Sequence, residues 1–253
     1  MTDLQQAHAL SFGPVAAQYD AARPSYPAEL FDELERLAGR PLKDADVLDV
    51  GAGTGIATRL LAARGARVLA VEPSDGMAAR LRAVSPRIPV VKGVGDALPF
   101  HDGSADLVTY AQAFHWTDPD RSVPEAFRVL RPEGVLALFW NVKDRAVPWL
   151  RAQEERLVAA LPSYHFYGGV TDAVTWFGEH GVPVERVTLR WERRVTLEGH
   201  LADLSSRSYL AVLPSGQRER VLAAERSALA AVFPDGSLTE PYLLDLFVVR
   251  RPR

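Results

Sequence analysis

Between residues 46 and 139, short apolar runs alternate along the chain with stretches of helical periodicity. The runs have the pattern of buried strands and cover Val47–Val50, Val68–Val71, Val90–Val91, Leu107–Tyr110 and Val135–Phe139. Helical spacing occupies three of the intervals, over Ile56–Arg64, Asp75–Val84 and Arg121–Leu130. This alternation predicts an α/β fold in which helices cover both faces of a parallel sheet. Right-handed crossovers would make the sheet doubly wound.

On both sides of this segment the pattern changes. Before it, a helix is predicted over Pro27–Leu37, and the prolines that precede this helix favour extended backbone. After residue 141, we predict helices over Trp149–Leu161, Thr171–His180, Leu201–Val212 and Gly216–Phe233, and strands over Val184–Arg194 and Leu243–Val249. We interpret the chain as one domain. Residues 1–44 form an N-terminal cover, residues 45–141 a ligand-binding core, and residues 142–253 a helical cap that contributes the last two strands.

The strongest local signal is the glycine-rich turn Gly51-Ala52-Gly53-Thr54-Gly55, between the first strand and the first core helix. Glycine permits positive φ angles and a close approach of ligand to main chain. Such a turn also presents backbone N–H groups at the carboxyl end of the strand. A dinucleotide-binding turn would need its third glycine where Ile56 stands, and the turn lacks the lysine of a phosphate-binding P-loop. The turn therefore suits a ligand with adenosine at one end and no pyrophosphate.

Three acidic residues accompany this turn. Glu72 ends the second strand, where a carboxylate can accept hydrogen bonds from ribose hydroxyls. Asp96 follows the third strand and can accept from the exocyclic amine of adenine. Asp49 lies inside an apolar strand, where an unpaired carboxylate is costly. We therefore expect Asp49 either to accept from N–H groups of the glycine turn or to face the ligand.

Composition narrows the range of partners and compartments. The 253 residues carry 29 basic and 32 acidic side chains, and this balance does not favour nucleic acid or a membrane surface as partner. There is no cysteine, so thiol chemistry and cysteine-held metals are excluded. No run reaches the roughly 20 apolar residues of a membrane span. We expect a cytoplasmic protein without a metal site, either a monomer or a homodimer.

These motifs together resemble the class I S-adenosylmethionine-dependent methyltransferases, in particular the methyltransferase type 11 group. The matching segments are Val47–Gly55, Val71–Pro73, Gly95–Phe100, Asp106–Val108 and Phe127–Val135. They follow the family order over residues 45–141, and Pro132-Glu133-Gly134 stands where the family usually has Pro-Gly-Gly. Two further segments, Tyr19–Pro27 and Ala111–Trp116, resemble the subgroup that includes trans-aconitate methyltransferase.

The resemblance implies a mostly parallel, seven-stranded Rossmann-like sheet whose last strand is antiparallel. It also implies S-adenosyl-L-methionine across the carboxyl edge of the sheet. The implied donor-binding residues are Asp49, Gly51, Ala52 and Gly53 near the methionine moiety, Glu72 and Pro73 at the ribose, Asp96 and Ala97 at the adenine, and Ala111 and Gln112 along the methionine end. The acceptor pocket would be roofed by the N-terminal segment and the late helices.

Several further side chains are candidates for contact with substrate. His115 follows the fourth strand and is the candidate general base, because histidine titrates near neutral pH; alternatively it contacts the donor or packs beside Trp116. Tyr19 and Arg23 can hold a carboxylate, either that of the donor or that of an acidic acceptor. The remaining candidates for acceptor contact are Trp116, Ser208 and Tyr209.

The predicted function is transfer of a methyl group to a small-molecule acceptor, by O-methylation of a carboxylate or a hydroxyl. Three alternatives stay open at this point. They are a nicotinamide-dependent oxidoreductase, a methyltransferase that acts on RNA or protein, and a non-catalytic protein that binds the same cofactor.

Overall fold

The computed structural model describes residues 16–161 and 171–252, and its centre is a mixed seven-stranded sheet. The strands are β1 (Asp46–Val50), β2 (Arg67–Val71), β3 (Val90–Val91), β4 (Ala105–Ala111), β5 (Leu130–Lys143), β6 (Glu185–Thr196) and β7 (Ser237–Arg250). Their order in the sheet is β3-β2-β1-β4-β5-β7-β6. The first five strands are parallel, and β7 runs antiparallel to both β5 and β6. The predicted seven-stranded, Rossmann-like architecture is confirmed.

Helices cover both faces of this sheet and build a cap beyond its carboxyl edge. They are α1 (Ala16–Ala22), α2 (Ala28–Ala38), α3 (Ile56–Ala63), α4 (Asp75–Val84), α5 (Pro119–Val129), α6 (Pro148–Ala160), α7 (Thr171–Glu179), α8 (Leu197–Ser205), α9 (Ser208–Ala211) and α10 (Ser215–Val232). Side chains of α2 and α3 pack on one face of the sheet, and side chains of α5 and α7 pack on the other. In the described parts of the chain, no helix is long and apolar enough to cross a membrane.

The position of β1 in the sheet determines where its side chains point. It lies between β2 and β4, so its two faces are buried under helices on opposite sides. Successive side chains of a strand alternate between the two faces. Leu48 and Val50 therefore join the apolar core beneath α5, whereas Val47 joins the core beneath α2 and α3. Asp49 lies two residues after Val47, so its side chain points to the same face of the sheet, toward α3.

Pairing between the strands brings their carboxyl ends together. Val50 pairs with Val71 of β2, and Asp49 pairs with Thr109 of β4. The loops that follow these three strands consequently meet at one edge of the sheet. They carry the glycine-rich turn, Glu72 and the segment from Gln112 onward.

Two predictions about helices were wrong. Helix α1 was not predicted, and it forms over residues 16–22, where Asp20 makes ion pairs with Arg59 of α3 (2.9 Å) and Arg80 of α4 (3.1 Å). The predicted helix Leu201–Val212 is instead divided into α8 and α9. The interruption lies at Ser206, whose hydroxyl donates to the Asp203 carbonyl (2.7 Å) as its amide ends the first helix. The formation of α1 and the break at Ser206 both depend on specific side-chain contacts, which the helical periodicity of the sequence does not reveal.

The cap has an apolar cluster of its own. Its buried members are Leu157, Leu161, Leu201, Leu204, Leu210 and Val221, which come from α6 with its C-cap and from α8, α9 and α10. The cap is joined to the sheet through β5, β6 and β7, which are longer than the apolar runs predicted. From Val135 to Lys143, β5 pairs with β7 without interruption, and this antiparallel ladder carries β5 past the edge where the parallel strands end.

Candidate active site

A cleft of about 570 Å³ opens at the carboxyl edge of the sheet. Eleven of the twelve predicted donor-binding residues line it, namely Tyr19, Arg23, Gly51, Ala52, Gly53, Glu72, Pro73, Asp96, Ala97, Ala111 and Gln112. Its remaining wall is largely apolar and includes Ile56, Met77 and Pro99. A larger cavity, of about 890 Å³, lies at the opposite edge, where Asp46 and Arg67 pair with each other at 2.7 Å. It contains neither the glycine turn nor the predicted acids.

The glycine turn is held against the end of β2 by its own N–H groups. The amides of Gly51 and Ala52 both donate to the Val71 carbonyl, at 2.8 and 3.1 Å. The amide of Gly53 donates to Oε2 of Glu72 at 2.7 Å. The prediction that the turn presents its N–H groups to a ligand is therefore wrong for these three amides, because the turn folds back onto the neighbouring strand and its loop.

The glycine turn instead provides room for a ligand next to its main chain. Gly51, Gly53 and Gly55 all have positive φ angles, of 68°, 57° and 85°. A Cβ atom on Gly51 would lie 2.5 Å from the Cβ of Ala113, which no side chain can tolerate. A Cβ on Gly53 would meet no atom within 4 Å, so this glycine borders open volume. A ligand can thus approach the main chain at Gly53 closely.

Glu72 links the turn to the cleft. Its Oε1 accepts a hydrogen bond from the Ser74 amide at 2.8 Å, while Oε2 accepts from Gly53. The side chain is almost fully buried, and this burial raises the pKa of Glu72 to about 6, although the two amide donors oppose the shift. An ionised carboxylate can accept about four hydrogen bonds. Two amides therefore leave acceptor capacity for ligand hydroxyls.

Asp96 lies on the same cleft, in the loop after β3. Its Oδ1 accepts from the amide of Asp118, the N-cap of α5, at 3.0 Å, which fixes the loop against that helix. The next amide, that of Ala97, donates to the Val94 carbonyl at 3.2 Å. This internal bond makes a compact loop, and both residues line the cleft.

Asp49 does not line the cleft, and neither predicted environment for it is found. Its Oδ2 accepts from the Thr58 hydroxyl of α3 at 2.5 Å, and its Oδ1 accepts from the Thr109 hydroxyl of β4 at 2.8 Å. The carboxyl group has no exposure to solvent. Burial raises the pKa of Asp49 to about 6 against the effect of the two hydroxyl donors. Both predicted environments are wrong because the alternation of side chains along β1 directs Asp49 toward α3 rather than toward the turn.

Helix α1 places Tyr19 and Arg23 over the cleft. The Asp20 ion pairs fasten this helix to the core, and the Arg23 guanidinium lies 4.3 Å from the centre of the Tyr19 ring. Nη2 of Arg23 donates to the Ser206 carbonyl of the cap at 3.2 Å. The predicted N-terminal cover therefore contacts both the core and the cap.

A second cavity, of about 180 Å³, adjoins the cleft on the cap side. Tyr19, Arg23, Gln112 and Trp116 line both cavities. His115 and Tyr209 line the second cavity and are absent from the wall of the cleft. The side chain of Ser208, also predicted to contact the acceptor, lies outside what the structure describes.

His115 is neutral at physiological pH in this environment. Burial, reinforced by the charge of Arg23, lowers the pKa of His115 to about 4. Nε1 of Trp140 donates to Nδ1 of the imidazole at 3.4 Å, an arrangement that assigns the ring proton to Nε2. With this tautomer, His115 can donate a hydrogen bond through Nε2.

Five charged residues of the second cavity were not singled out from the sequence, namely Lys143, Arg145, Glu154, Asp203 and Arg207. Two of them illustrate why. Lys143 stands at the end of β5, and Asp203 stands among the apolar residues of α8. An acid inside an apolar helix is a signal that could have identified Asp203, because such a carboxylate needs a partner. Lys143 has no comparable signal, since a lysine at a strand end is ordinary.

Comparison with known sequences identifies the family of this chain. Residues 48–138 match the family model Methyltransf_11, described as a methyltransferase domain. The chain is 37% identical over 246 residues to an uncharacterized methyltransferase of Mycobacterium tuberculosis, and the match covers 96% of each chain. It is also 38% identical over 137 residues to the malonyl-[acyl-carrier protein] O-methyltransferase of Methylococcus capsulatus, with about half of each protein covered.

Comparison with solved structures gives the same fold. A protein of Anaeromyxobacter dehalogenans assigned as a type II methyltransferase superposes with a TM-score of 0.69 and 27% identity, covering 90% of this chain and 98% of that one. A phosphoethanolamine N-methyltransferase of Haemonchus contortus, solved in complex with S-adenosyl-L-methionine, has a TM-score of 0.58 and 15% identity; the match covers all of this chain and 61% of the other. The second likeness shows the fold alone.

Proposed function

This chain belongs to the methyltransferases of the Methyltransf_11 family, and we propose that it transfers a methyl group from S-adenosyl-L-methionine to a small-molecule acceptor. The observation that carries the proposal is the pair of adjoining cavities with a shared wall. One has the glycine turn and acids suited to an adenosine-containing donor, and the other is a separate chamber for an acceptor.

The residues of the cleft fit this donor. Glu72 has acceptor capacity for ribose hydroxyls, and Asp96 can accept from an adenine amine. The apolar side chains of Ile56 and Met77 suit the faces of a nucleoside base. Arg23, at the boundary of the two cavities, can pair with the donor's carboxylate. We assign these roles as part of the proposal.

Methyl transfer requires the protein mainly to position the donor and the acceptor relative to each other. When bound, the donor supplies a methyl group already activated by its sulfonium sulfur. The chain must hold an acceptor atom in line with that methyl, at about 3 Å, and keep water away from it. The residues common to both cavities, Gln112 and Trp116 among them, lie where these two requirements meet.

The second cavity supports a small acceptor. At about 180 Å³ it is below the roughly 300–1,000 Å³ usual for pockets that hold drug-sized ligands. O-methylation is the reaction that we propose. The relative from Methylococcus capsulatus that matches over about half of its length is named an O-methyltransferase, which is consistent with this proposal. The trans-aconitate methyltransferase-like subgroup, the cytoplasmic location and the monomeric or homodimeric state stay predictions.

The test of this function is methyl transfer from labelled S-adenosyl-L-methionine to components of a metabolite extract freed of macromolecules by ultrafiltration. We expect labelled product only when the enzyme is present. We also expect S-adenosylhomocysteine to compete with the donor and reduce the amount of this product. Tight binding of NADH without any response to S-adenosylhomocysteine would favour an oxidoreductase instead. Tight donor binding without any labelled product would favour a non-catalytic binding protein.

For His115 we expect a role in orienting the acceptor rather than in removing a proton. The low pKa makes the imidazole a weak base, whereas its neutral form can donate to an acceptor oxygen. His115→Phe removes this hydrogen-bond donor and should raise the acceptor concentration needed for half-maximal rate by about tenfold, as expected for loss of one hydrogen bond, with affinity for the methyl donor unchanged. In the wild type, kcat measured between pH 5.5 and 8 should show no inflection near pH 6.5, the ordinary pKa of histidine. An inflection there that disappears in the variant would identify His115 as a base.

A further inference from the structure

The wall of the second cavity contains more positive than negative buried charge. Behind and within it stand four cations, Arg23, Lys143, Arg193 and Arg207, and two carboxylates, Asp203 and Glu240. The exposed fraction is between 12% and 22% for the four cationic side chains and at most 1% for the two acidic ones. Arg145 and Glu154 also line this cavity and neutralise each other in an ion pair of 2.6 Å. Within the described residues, the cluster therefore has an excess of two positive charges.

The two carboxylates are already shared among the cations. Asp203 accepts from Arg207 at 2.8 Å and lies at the longer distances of 3.7 and 3.9 Å from Arg23 and Arg193. Glu240 accepts from Arg193 at 2.6 Å, from the Tyr242 hydroxyl at 2.8 Å, and from Lys143 at 3.4 Å. It also has a short contact with Nδ1 of His200.

The buried cations influence one another's pKa values. Burial lowers the pKa of Lys143, and the neighbouring Arg207 adds to this effect against the pull of Glu240 and Asp203. Burial lowers the pKa of Arg23 as well, again reinforced by Arg207. Burial also acts to lower the pKa of Arg207 itself, but Asp203 outweighs this effect, and the pKa is raised. Cations that are buried side by side and repel one another form a site that an anion would stabilise.

The position of two of these cations indicates which ligand the anion belongs to. Lys143 and Arg207 line the second cavity but not the cleft, whereas Arg23 lines both. Aromatic side chains, Trp140 and Tyr209 among them, line the second cavity together with these cations. An anion that pairs with Lys143 and Arg207 thus belongs to the ligand of the second cavity, which is the proposed acceptor.

We propose that Lys143 and Arg207 form an anchor for an anionic group of the acceptor, a carboxylate or a phosphate ester, distinct from the atom that is methylated. The acceptor is then a small molecule with an anionic group at one end, an apolar or aromatic body along Trp140 and Tyr209, and its methyl-accepting atom near Gln112 and His115. This inference rests on the proposed function, because it takes the second cavity as the acceptor site.

The experiment divides the metabolite extract on an anion-exchange resin before the assay with labelled S-adenosyl-L-methionine. We expect the acceptor in the fraction that the resin retains, and we expect phosphatase treatment of that fraction to abolish the activity only if the anion is a phosphate ester. Arg207→Met and Lys143→Met should each raise the amount of this fraction needed for half-maximal rate by about tenfold, as expected for one charge-assisted contact, with donor affinity unchanged.

Two further variants make the result specific. Arg207→Lys keeps the charge and should restore much of the lost affinity for the acceptor. Arg226→Gln removes a cation that is half exposed, pairs with Glu198 and lies outside the lining of both cavities, so it should behave as wild type. Melting temperatures of all variants show whether a loss reflects folding, and Lys143→Met serves as the second probe if Arg207→Met is unstable.

Two outcomes would overturn the anchor and leave the proposed function intact. One is labelled product that forms only from the uncharged, unretained fraction. The other is that both methionine variants need the same amount of the retained fraction for half-maximal rate as the wild type does. Absence of labelled product from every fraction would contradict the proposed function itself, and the anchor with it.

Discussion

Replacement of Glu72 by alanine is expected to weaken the binding of S-adenosyl-L-methionine by about a hundredfold or more. A hydrogen bond to a charged group contributes about 1.5–3 kcal/mol, and loss of two bonds from ribose hydroxyls corresponds to about this factor. The same carboxylate holds the Gly53 and Ser74 amides, so its removal also loosens the turn that borders the donor. Both effects act in the same direction on affinity.

The measurement is a titration of the purified variant with S-adenosylhomocysteine and with S-adenosyl-L-methionine by calorimetry. Asp102→Ala provides the matched control, because Asp102 is 78% exposed and pairs with Arg128 outside the lining of the cleft. It should bind the donor as the wild type does. If Glu72→Ala retained wild-type affinity while folded, the assignment of the cleft as the donor site would be wrong.

Replacement of Asp49 by asparagine is expected to make the protein's stability less sensitive to pH. The pKa of Asp49 is raised from 3.8 to about 6 in the folded protein, so the folded state holds the proton more tightly than the unfolded chain does. Between these pH values the wild type therefore loses stability as pH rises, by about 3 kcal/mol in total. This loss of stability is absent below pH 3.8 and complete above pH 6.

Asparagine keeps the shape of the protonated carboxyl group and cannot ionise. The hydroxyls of Thr58 and Thr109 can donate or accept, so both can pair with the amide. The variant should thus match the wild type at low pH and exceed its free energy of unfolding near pH 7. Chemical denaturation of donor-free protein at a series of pH values measures this difference.

The control for this prediction lies on the same strand. The hydrogen bond from Arg67 lowers the pKa of Asp46, although partial burial opposes the shift. Asp46→Asn should therefore have the opposite pH dependence, with the wild type gaining stability over the variant as pH rises. Equal pH profiles for wild type and Asp49→Asn would show that Asp49 is ionised at no cost, contrary to its burial.

Much of the fold could be predicted because the information is local. Alternation of apolar runs with helical periodicity fixed the parallel core, and α4 and β3 have the predicted bounds. Glu72 and Asp96 could be placed on one cleft because acids that follow neighbouring parallel strands share an edge of the sheet. The antiparallel end of the sheet came from the resemblance to a family, since no local pattern distinguishes strand direction.

The sequence by itself determined the doubly wound core, the glycine turn and the acids at the strand ends, because each follows from periodicity or from its position after a strand. Only the tertiary structure decided what those groups bond to. Asp49 faces Thr109, 60 residues away, and the amides of the glycine turn are taken up by Val71 and Glu72. The charge cluster of the second cavity joins α1, β5, β6, α8 and β7, with contacts such as that of Arg193 with the Ala22 carbonyl 171 residues away. Such partners meet only when the chain is folded, because desolvation of each charge must be offset by whichever groups the packed elements bring beside it.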